Sequence, residues 1–222
     1  MSIHALCKPR PSVFAADRRA TVLNLDTLLK GEVNGPEFFD ENFFTNGMLT
    51  LVDRAFRHLG GSGAGSSVFL LSQAMGGGKT HSMIALGLLA RDPGLRKKVL
   101  GDQDPAPTLG PCRVVGFNGR RTDAPGGIWG SIAEQLGKAD QFARYVSPLL
   151  SAPGPEAWKQ MLGGDPLVLF LDELPPYLAN AVAVPVGNGD LGVVTTTAAA
   201  QIVFCKSSGG QAEGEMDGSM LR

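Results

Sequence analysis

A chain of 222 residues, 43% hydrophobic and 18% charged, is long enough to bury a full core and too apolar to be a disordered one. Its formal net charge of -1 gives no global electrostatic footprint for nucleic acid or an anionic membrane. Three dispersed cysteines, Cys7, Cys112 and Cys205, fit neither a disulfide framework nor paired zinc ligands, and no stretch approaches the roughly 20 apolar residues that span a bilayer.

The first nineteen residues hold no signal-like apolar run, and the thiols suit a reducing compartment, so a cytoplasmic protein with no membrane partner is expected. Within 21–30, Val22, Leu25, Leu28 and Leu29 have a helix-like or mixed spacing that ends near Gly31. An aromatic-rich stretch follows, in which the pairs Phe38-Phe39 and Phe43-Phe44 can share one helical face. From Asn46 to Leu59 the stripe Met48, Leu49, Val52, Ala55, Phe56 and Leu59 predicts a helix stopped by Gly60. The Gly/Ser run 60–67 is a connector and a candidate boundary.

Beyond it, short apolar runs alternate with helical patterns. Strands are predicted over 68–72, 113–117 and 167–171, and helices over 79–90, 128–136 and 155–162, the last with Pro155 at its first position. Such alternation predicts an α/β fold with a largely parallel sheet. The expected organisation is an N-terminal helical or extended segment (1–60), a nucleotide-binding core (61–204) and a flexible tail (205–222). The run Thr195-Thr196-Thr197 suits a strand or a helix entry, with a structural role favoured.

The stretch Gly76-Gly77-Gly78-Lys79-Thr80 carries the chemistry. The full phosphate-loop pattern G-x-x-x-x-G-K-[ST] has Gln73 where its first glycine belongs, but the shorter G-x-G-K-T is satisfied. Glycines let successive backbone N–H groups turn toward phosphate oxygens, and the following helix adds its positive end. Lys79 can reach the β- and γ-phosphates, and the Thr80 hydroxyl can ligate Mg²⁺. An apolar strand before the loop and an apolar helix after it set this apart from a chance glycine turn. His81, on the first helical turn, is counted with the nucleotide-contacting positions, although a helix-surface histidine suits it better.

A second carboxylate-bearing strand end completes such a site. Asp172 and Glu173 follow the apolar run 167–171. Asp172 is the candidate Mg²⁺ ligand, and Glu173 the candidate general base for the water that attacks the γ-phosphate. The pair points to ATP hydrolysis, and to a P-loop class with an extra strand between its two motifs, a place assigned here to 113–117.

Together, 73–83, 171–178 and 187–197 resemble a family of large bacterial and archaeal AAA+-like ATPases associated with anti-phage systems, over roughly 42–200. The resemblance implies a three-layer P-loop sandwich of the AAA+ (ASCE) kind. It also implies ATP and Mg²⁺ as cofactors, a DNA or protein substrate that is remodelled, and self-association. Members look longer, so the domain is expected to be incomplete at its C-terminus, without a recognisable sensor residue, arginine finger or helical lid. That leaves a catalytically impaired nucleotide-binding module and a helicase-type motor fragment as alternatives. In the resemblance, the loop carrying Arg120 and Arg121 projects toward a polymer substrate. Those arginines can grip phosphates or an interface carboxylate, or simply be solvated. The stretch 38–48 occupies the place where such ATPases seat adenine, though a hydrophobic staple is the preferred reading.

Overall fold

The computed structural model describes residues 23–62, 66–72, 76–121, 126–147, 153–181, 185–186, 189–190 and 201–206, the last three stretches by backbone alone. Three helices lead: α1 (Leu25–Leu29), α2 (Gly35–Glu41) and α3 (Asn46–Leu59). Each starts at a side-chain cap. Asn24 accepts from Thr27 N at 3.0 Å while Thr27 Oγ1 accepts from Asn24 N, and Asn34 and Thr45 cap α2 and α3 in the same sense. In α3 the residues Met48, Leu51, Val52, Ala55, Phe56 and Leu59 are buried, and Arg57 and His58 complement the negative end of the helix. Leu49, placed in the stripe on spacing, is exposed instead. Burial pulls the His58 pKa down.

Next come β1 (Val68–Leu71), α4 (Lys79–Arg91) and α5 (Pro93–Leu100) with a one-turn 3-10 helix behind it, then β2 (Arg113–Asn118) and α6 (Gly127–Gln135). The chain continues through α7 (Ala139–Phe142), α8 (Pro155–Leu162), β3 (Leu167–Asp172) and α9 (Leu174–Ala181). It closes with the two-residue strands β4 (Pro185–Val186) and β5 (Gly189–Asp190), which pair antiparallel, and β6 (Gln201–Lys206).

Among the described residues the main sheet has four strands, in the order β1-β6-β3-β2. Of its three pairings only β2 with β3 is parallel; β6 runs antiparallel to both β1 and β3. The expected largely parallel sheet is therefore corrected to a mixed one: β2 and β3 form its parallel pair, and β6, inserted between β1 and β3, runs antiparallel to both although β1, β3 and β2 share one direction. The strand between β1 and β3 is β6, whereas 113–117 lies at the edge, which corrects the place assigned to it. Sequence order did not give spatial order, because the chain returns to the middle of the sheet only at residue 201. β6 also takes in Cys205 and Lys206, two residues expected in the tail. The run 195–197 lies outside the described residues.

Burial on both faces explains the continuous apolar runs of β2 and β3. Val114, Val168 and Phe170 join a core with α1 to α5, while Val115, Phe117, Leu167 and Leu169 join a second core with α6 to α9. Helices on either side of the 60–67 connector thus share one core: Leu28, Phe56 and Leu59 pack with Met83, Leu86 and Leu89. Cys112 is buried there, which pushes its thiol up to about 11.

The outer edge of β2 is sealed by side chains. The Gln135 amide accepts from Gly116 N at 3.0 Å and donates to Gly116 O at 2.8 Å, and Arg91 Nη2 donates to Val114 O at 3.4 Å. Those groups would otherwise invite another strand. Lys138 Nζ likewise closes the end of α8, donating to Gln160 O, Met161 O and Gly163 O. Among the described residues no helix is long and apolar enough to cross a membrane.

Candidate functional site

Because β1, β3 and β2 run the same way, the segments that leave their carboxyl ends gather at one rim of the sheet. Open α/β sheets place their ligands there. The register ties β2 to β3 at that rim, with Asn118 opposite Asp172, and ties both β1 and β3 to the start of β6 through Leu71–Gln201 and Leu171–Ile202.

Gln73 lies outside the described residues. Gly76 and Gly78 have φ of 79° and 78°. Gly78 is the residue before α4 and has a left-handed backbone, at no cost only for glycine. Its carbonyl accepts from Ser82 N at 2.9 Å and Ser82 Oγ at 3.0 Å, fixing the loop to the first turn. No side chain caps α4 and no acidic residue stands in its first turn. Its leading N–H groups and positive end are thus presented by an exposed glycine turn.

Thr80 Oγ1 donates to Asp172 Oδ2 at 3.3 Å across 92 residues of sequence. Asp172 ends β3 and is 3% exposed. Glu173 follows with φ 52°, the one positive value of a non-glycine residue among those described. Backbone in that region costs on the order of 1–2 kcal/mol and persists where neighbours impose it. The neighbour is the turn after β2. Gly119 N donates to Asp172 O at 2.8 Å, and a Cβ at Gly119 would stand 2.1 Å from Glu173 O, so glycine alone allows this approach.

Arg120 Nη2 donates to Glu173 Oε1 at 3.2 Å. Arg121 Nη2 pairs with Asp26 Oδ1 at 2.9 Å, and Asn118 Nδ2 donates to Asp26 Oδ2 at the same distance. Both arginines of the loop expected to project outward are thus engaged by carboxylates of this same chain. Asp26, Asn118 and Gly119 have no motif that marks them. Only the alignment of the β2 and β3 ends brings the last two beside Asp172.

The structure brings Thr80 and Asp172 into contact and sets Glu173 beside them; Gly76, Gly77, Gly78 and Lys79 lead into the same helix. His81 is exposed, and its ring stacks on Phe38 with centroids 6.1 Å apart. It lines a cavity with Gly77 and Gly78 on the side of α2 and α3. Phe38 is buried, and Phe39 and Phe44 stack at 5.4 Å and pack against the same core.

Among the described residues no cluster of three or more His, Cys, Asp or Glu could hold a metal by itself. Thr80 and Asp172 provide two hard oxygen donors, a partial set of the kind Mg²⁺ completes with phosphate oxygens and water.

Residues 30–104 match the family described as the DUF499 N-terminal domain. That description names no activity. The matched stretch takes in Gly76 to Thr80 and ends before Asp172 and Glu173. No curated protein and no solved structure matches the chain.

Proposed function

We propose that this chain is a P-loop domain of the AAA+-like, three-layer kind that binds Mg-ATP and hydrolyses it. The observation that carries the reading is the Thr80–Asp172 contact at 3.3 Å, which joins the glycine loop to the carboxylate-bearing strand end. Two motifs read separately from the sequence meet at one point, as phosphate and metal binding require.

In this reading the Gly76–Gly78 turn and the start of α4 direct N–H groups at the phosphates, and Lys79 places a cation on the β- and γ-oxygens. Thr80 and Asp172 would hold Mg²⁺, which when bound neutralises phosphate charge. Glu173 orients the attacking water and takes its proton on a carboxylate oxygen. Arg120 holds that carboxylate at the rim.

A second reading, a nucleotide-binding module without turnover, is favoured by that same ion pair, because Arg120 occupies Glu173 Oε1. The wider role, remodelling of a DNA or protein partner by a self-associating, defence-associated ATPase, is supported by the sequence resemblance.

Measuring ATP affinity with and without Mg²⁺ tests the reading. In the parent, Mg²⁺ is expected to tighten ATP binding. Asp172→Asn is expected to lower the Mg²⁺ affinity of the ATP complex by at least the roughly 10- to 100-fold that loss of a metal-orienting group costs. Equal ATP affinity with and without Mg²⁺, in parent and variant alike, would refute it.

A further inference from the structure

Asp26 stands outside both sequence motifs of the site, in the first turn of α1, and its carboxylate reaches the rim of the sheet. Its Oδ2 accepts from Asn118 Nδ2 at 2.9 Å and its Oδ1 pairs with Arg121 Nη2 at 2.9 Å, so both oxygens are committed to the turn that leaves β2. These contacts are not what fastens α1 to the fold. Leu25 and Leu28 are fully buried, Leu25 against Gly116 of β2 and Leu28 against Gly87 of α4, and Arg91 donates to Leu28 O and Leu29 O. With α1 held by its apolar side and by Arg91, the carboxylate is a fixed point to which the turn is tied.

The turn passes that constraint on. Asn118 Oδ1 accepts from Arg120 N at 3.1 Å, so the amide bridges Asp26 to the backbone of the turn. A donor on one side and a carboxylate on the other fix the orientation of that amide. Asn118 O accepts from Arg121 N at 3.0 Å, and Gly119 N donates to Asp172 O at 2.8 Å. Gly119 then lies so close to the next strand end that a Cβ there would stand 2.7 Å from Glu173 C and 2.8 Å from Leu174 Cα. Glu173 keeps its left-handed φ of 52° only while neighbours impose it, and the neighbour is this turn.

We propose that Asp26 is a positioning residue for hydrolysis: from α1 it braces residues 118–121, and that turn holds Glu173 in the backbone conformation from which its carboxylate meets the attacking water. This role rests on the reading of Glu173 as the general base. Asp26 touches no reacting atom and acts through Asn118 and the turn, so its loss tells on turnover and not on ATP binding. Misplacing a catalytic group by about 1 Å costs roughly 10²-fold in rate. Loosening the brace while Gly119 keeps its bond to Asp172 costs less.

The test is steady-state hydrolysis of Mg-ATP by the full chain and its variants. Asp26→Ala is expected to lower kcat about 10-fold with KM within about twofold of the parent. Asn118→Ala breaks the same bridge at its other end and is expected to match it. Asp26→Asn keeps an oxygen for the Asn118 amide and should recover most of the rate. Combined with Glu173→Gln, Asp26→Ala should take away little more, because the group it positions no longer accepts the proton. The role is overturned if Asp26→Ala and Asn118→Ala leave kcat unchanged, or change KM as much as kcat. It is equally overturned if Asp26→Asn is as slow as Asp26→Ala, or if Asp26→Ala costs the same factor in the Glu173→Gln background. If Glu173→Gln is slow and Asp26→Ala is not, the positioning role alone fails. If Glu173→Gln keeps the parent rate, or the parent binds ATP without turnover, the general base and its positioning residue fall together.

Discussion

Glu173→Gln is expected to lower ATP turnover by a factor of about 10² to 10⁴, the usual contribution of a positioned general base, while leaving ATP affinity near that of the parent. Glutamine keeps the size and a hydrogen-bonding oxygen but cannot take the proton from water. The geometry sharpens the expectation. Glu173 sits in a left-handed backbone against a glycine that has no room for a side chain, a conformation the site holds against its intrinsic cost. Its carboxylate lies 3.2 Å from Arg120 Nη2, with the two side chains 41% and 71% exposed, so the pair itself adds little stability. Steady-state phosphate release measured beside equilibrium ATP binding checks this. A variant that turns over ATP at the parent rate would remove Glu173 from the chemistry. A parent with binding but no turnover would select the module without hydrolysis.

The largest expected effect on the fold is at Arg96. Its side chain is 1% exposed and Asp104, its partner at 3.0 Å, is 5% exposed. The guanidinium also donates to Leu89 O, Ala106 O and Leu109 O and lies over the Phe56 ring, 4.9 Å from its centroid. It joins α5, α3 and the loop before β2. Arg96→Met keeps much of the apolar stem but leaves a buried carboxylate without its cation and takes a donor from Leu89 O, Ala106 O and Leu109 O, of which Ala106 O still accepts from Leu109 N. Removing one partner of such a pair costs about 3–5 kcal/mol, a large share of the roughly 5–15 kcal/mol that holds a domain folded. Arg96→Met/Asp104→Leu is expected to recover part of that loss, since it removes the stranded charge but does not restore the lost donors. Denaturant midpoints of the single and double variants measure both. A single variant within about 1 kcal/mol of the parent, the size of an exposed pair, would show that the pair is not buried in solution.

How far the sequence could be read depended on whether the deciding interactions were local. Asn46–Leu59 and Pro155–Leu162 agree with their predicted bounds because Gly60 and Pro155 announce ends and the apolar spacing fills the middle. β2 and β3 were legible because burial on both faces demands apolar runs, and β1 as an apolar run although its Leu70 is exposed, whereas β4, β5 and β6 were not predicted. α5 was missed. Its Arg96-Lys97-Lys98 core looks like a solvated surface, yet Arg96 is fully buried by partners that lie beyond the helix. α9 was missed as well, because Pro175 and Pro176 interrupt the pattern even though both stand in its first turn. Strand order and the reversed direction of β6 depend on pairings between residues far apart in sequence, such as Val68 with Phe204 and Leu171 with Ile202, which periodicity does not encode.

The site shows the same division. Gly76 to Thr80, Asp172 and Glu173 were legible as chemistry, since phosphate and metal binding restrict the residue types at fixed spacing. Asp26, Asn118 and Gly119 act through contacts between residues more than fifty positions apart, and nothing near them in sequence foretells those contacts.

The central claim is that the Gly76 to Thr80 turn cradles a nucleoside triphosphate, and calorimetric titration of the full chain with Mg-ATP tests it most directly, run beside Lys79→Ala. One saturable site is expected in the parent, and an affinity lower by about 10- to 100-fold in the variant, the scale of one charge-assisted hydrogen bond of about 1.5–3 kcal/mol. A parent that shows no saturable binding, or a Lys79→Ala chain that binds Mg-ATP as tightly as the parent, would contradict it.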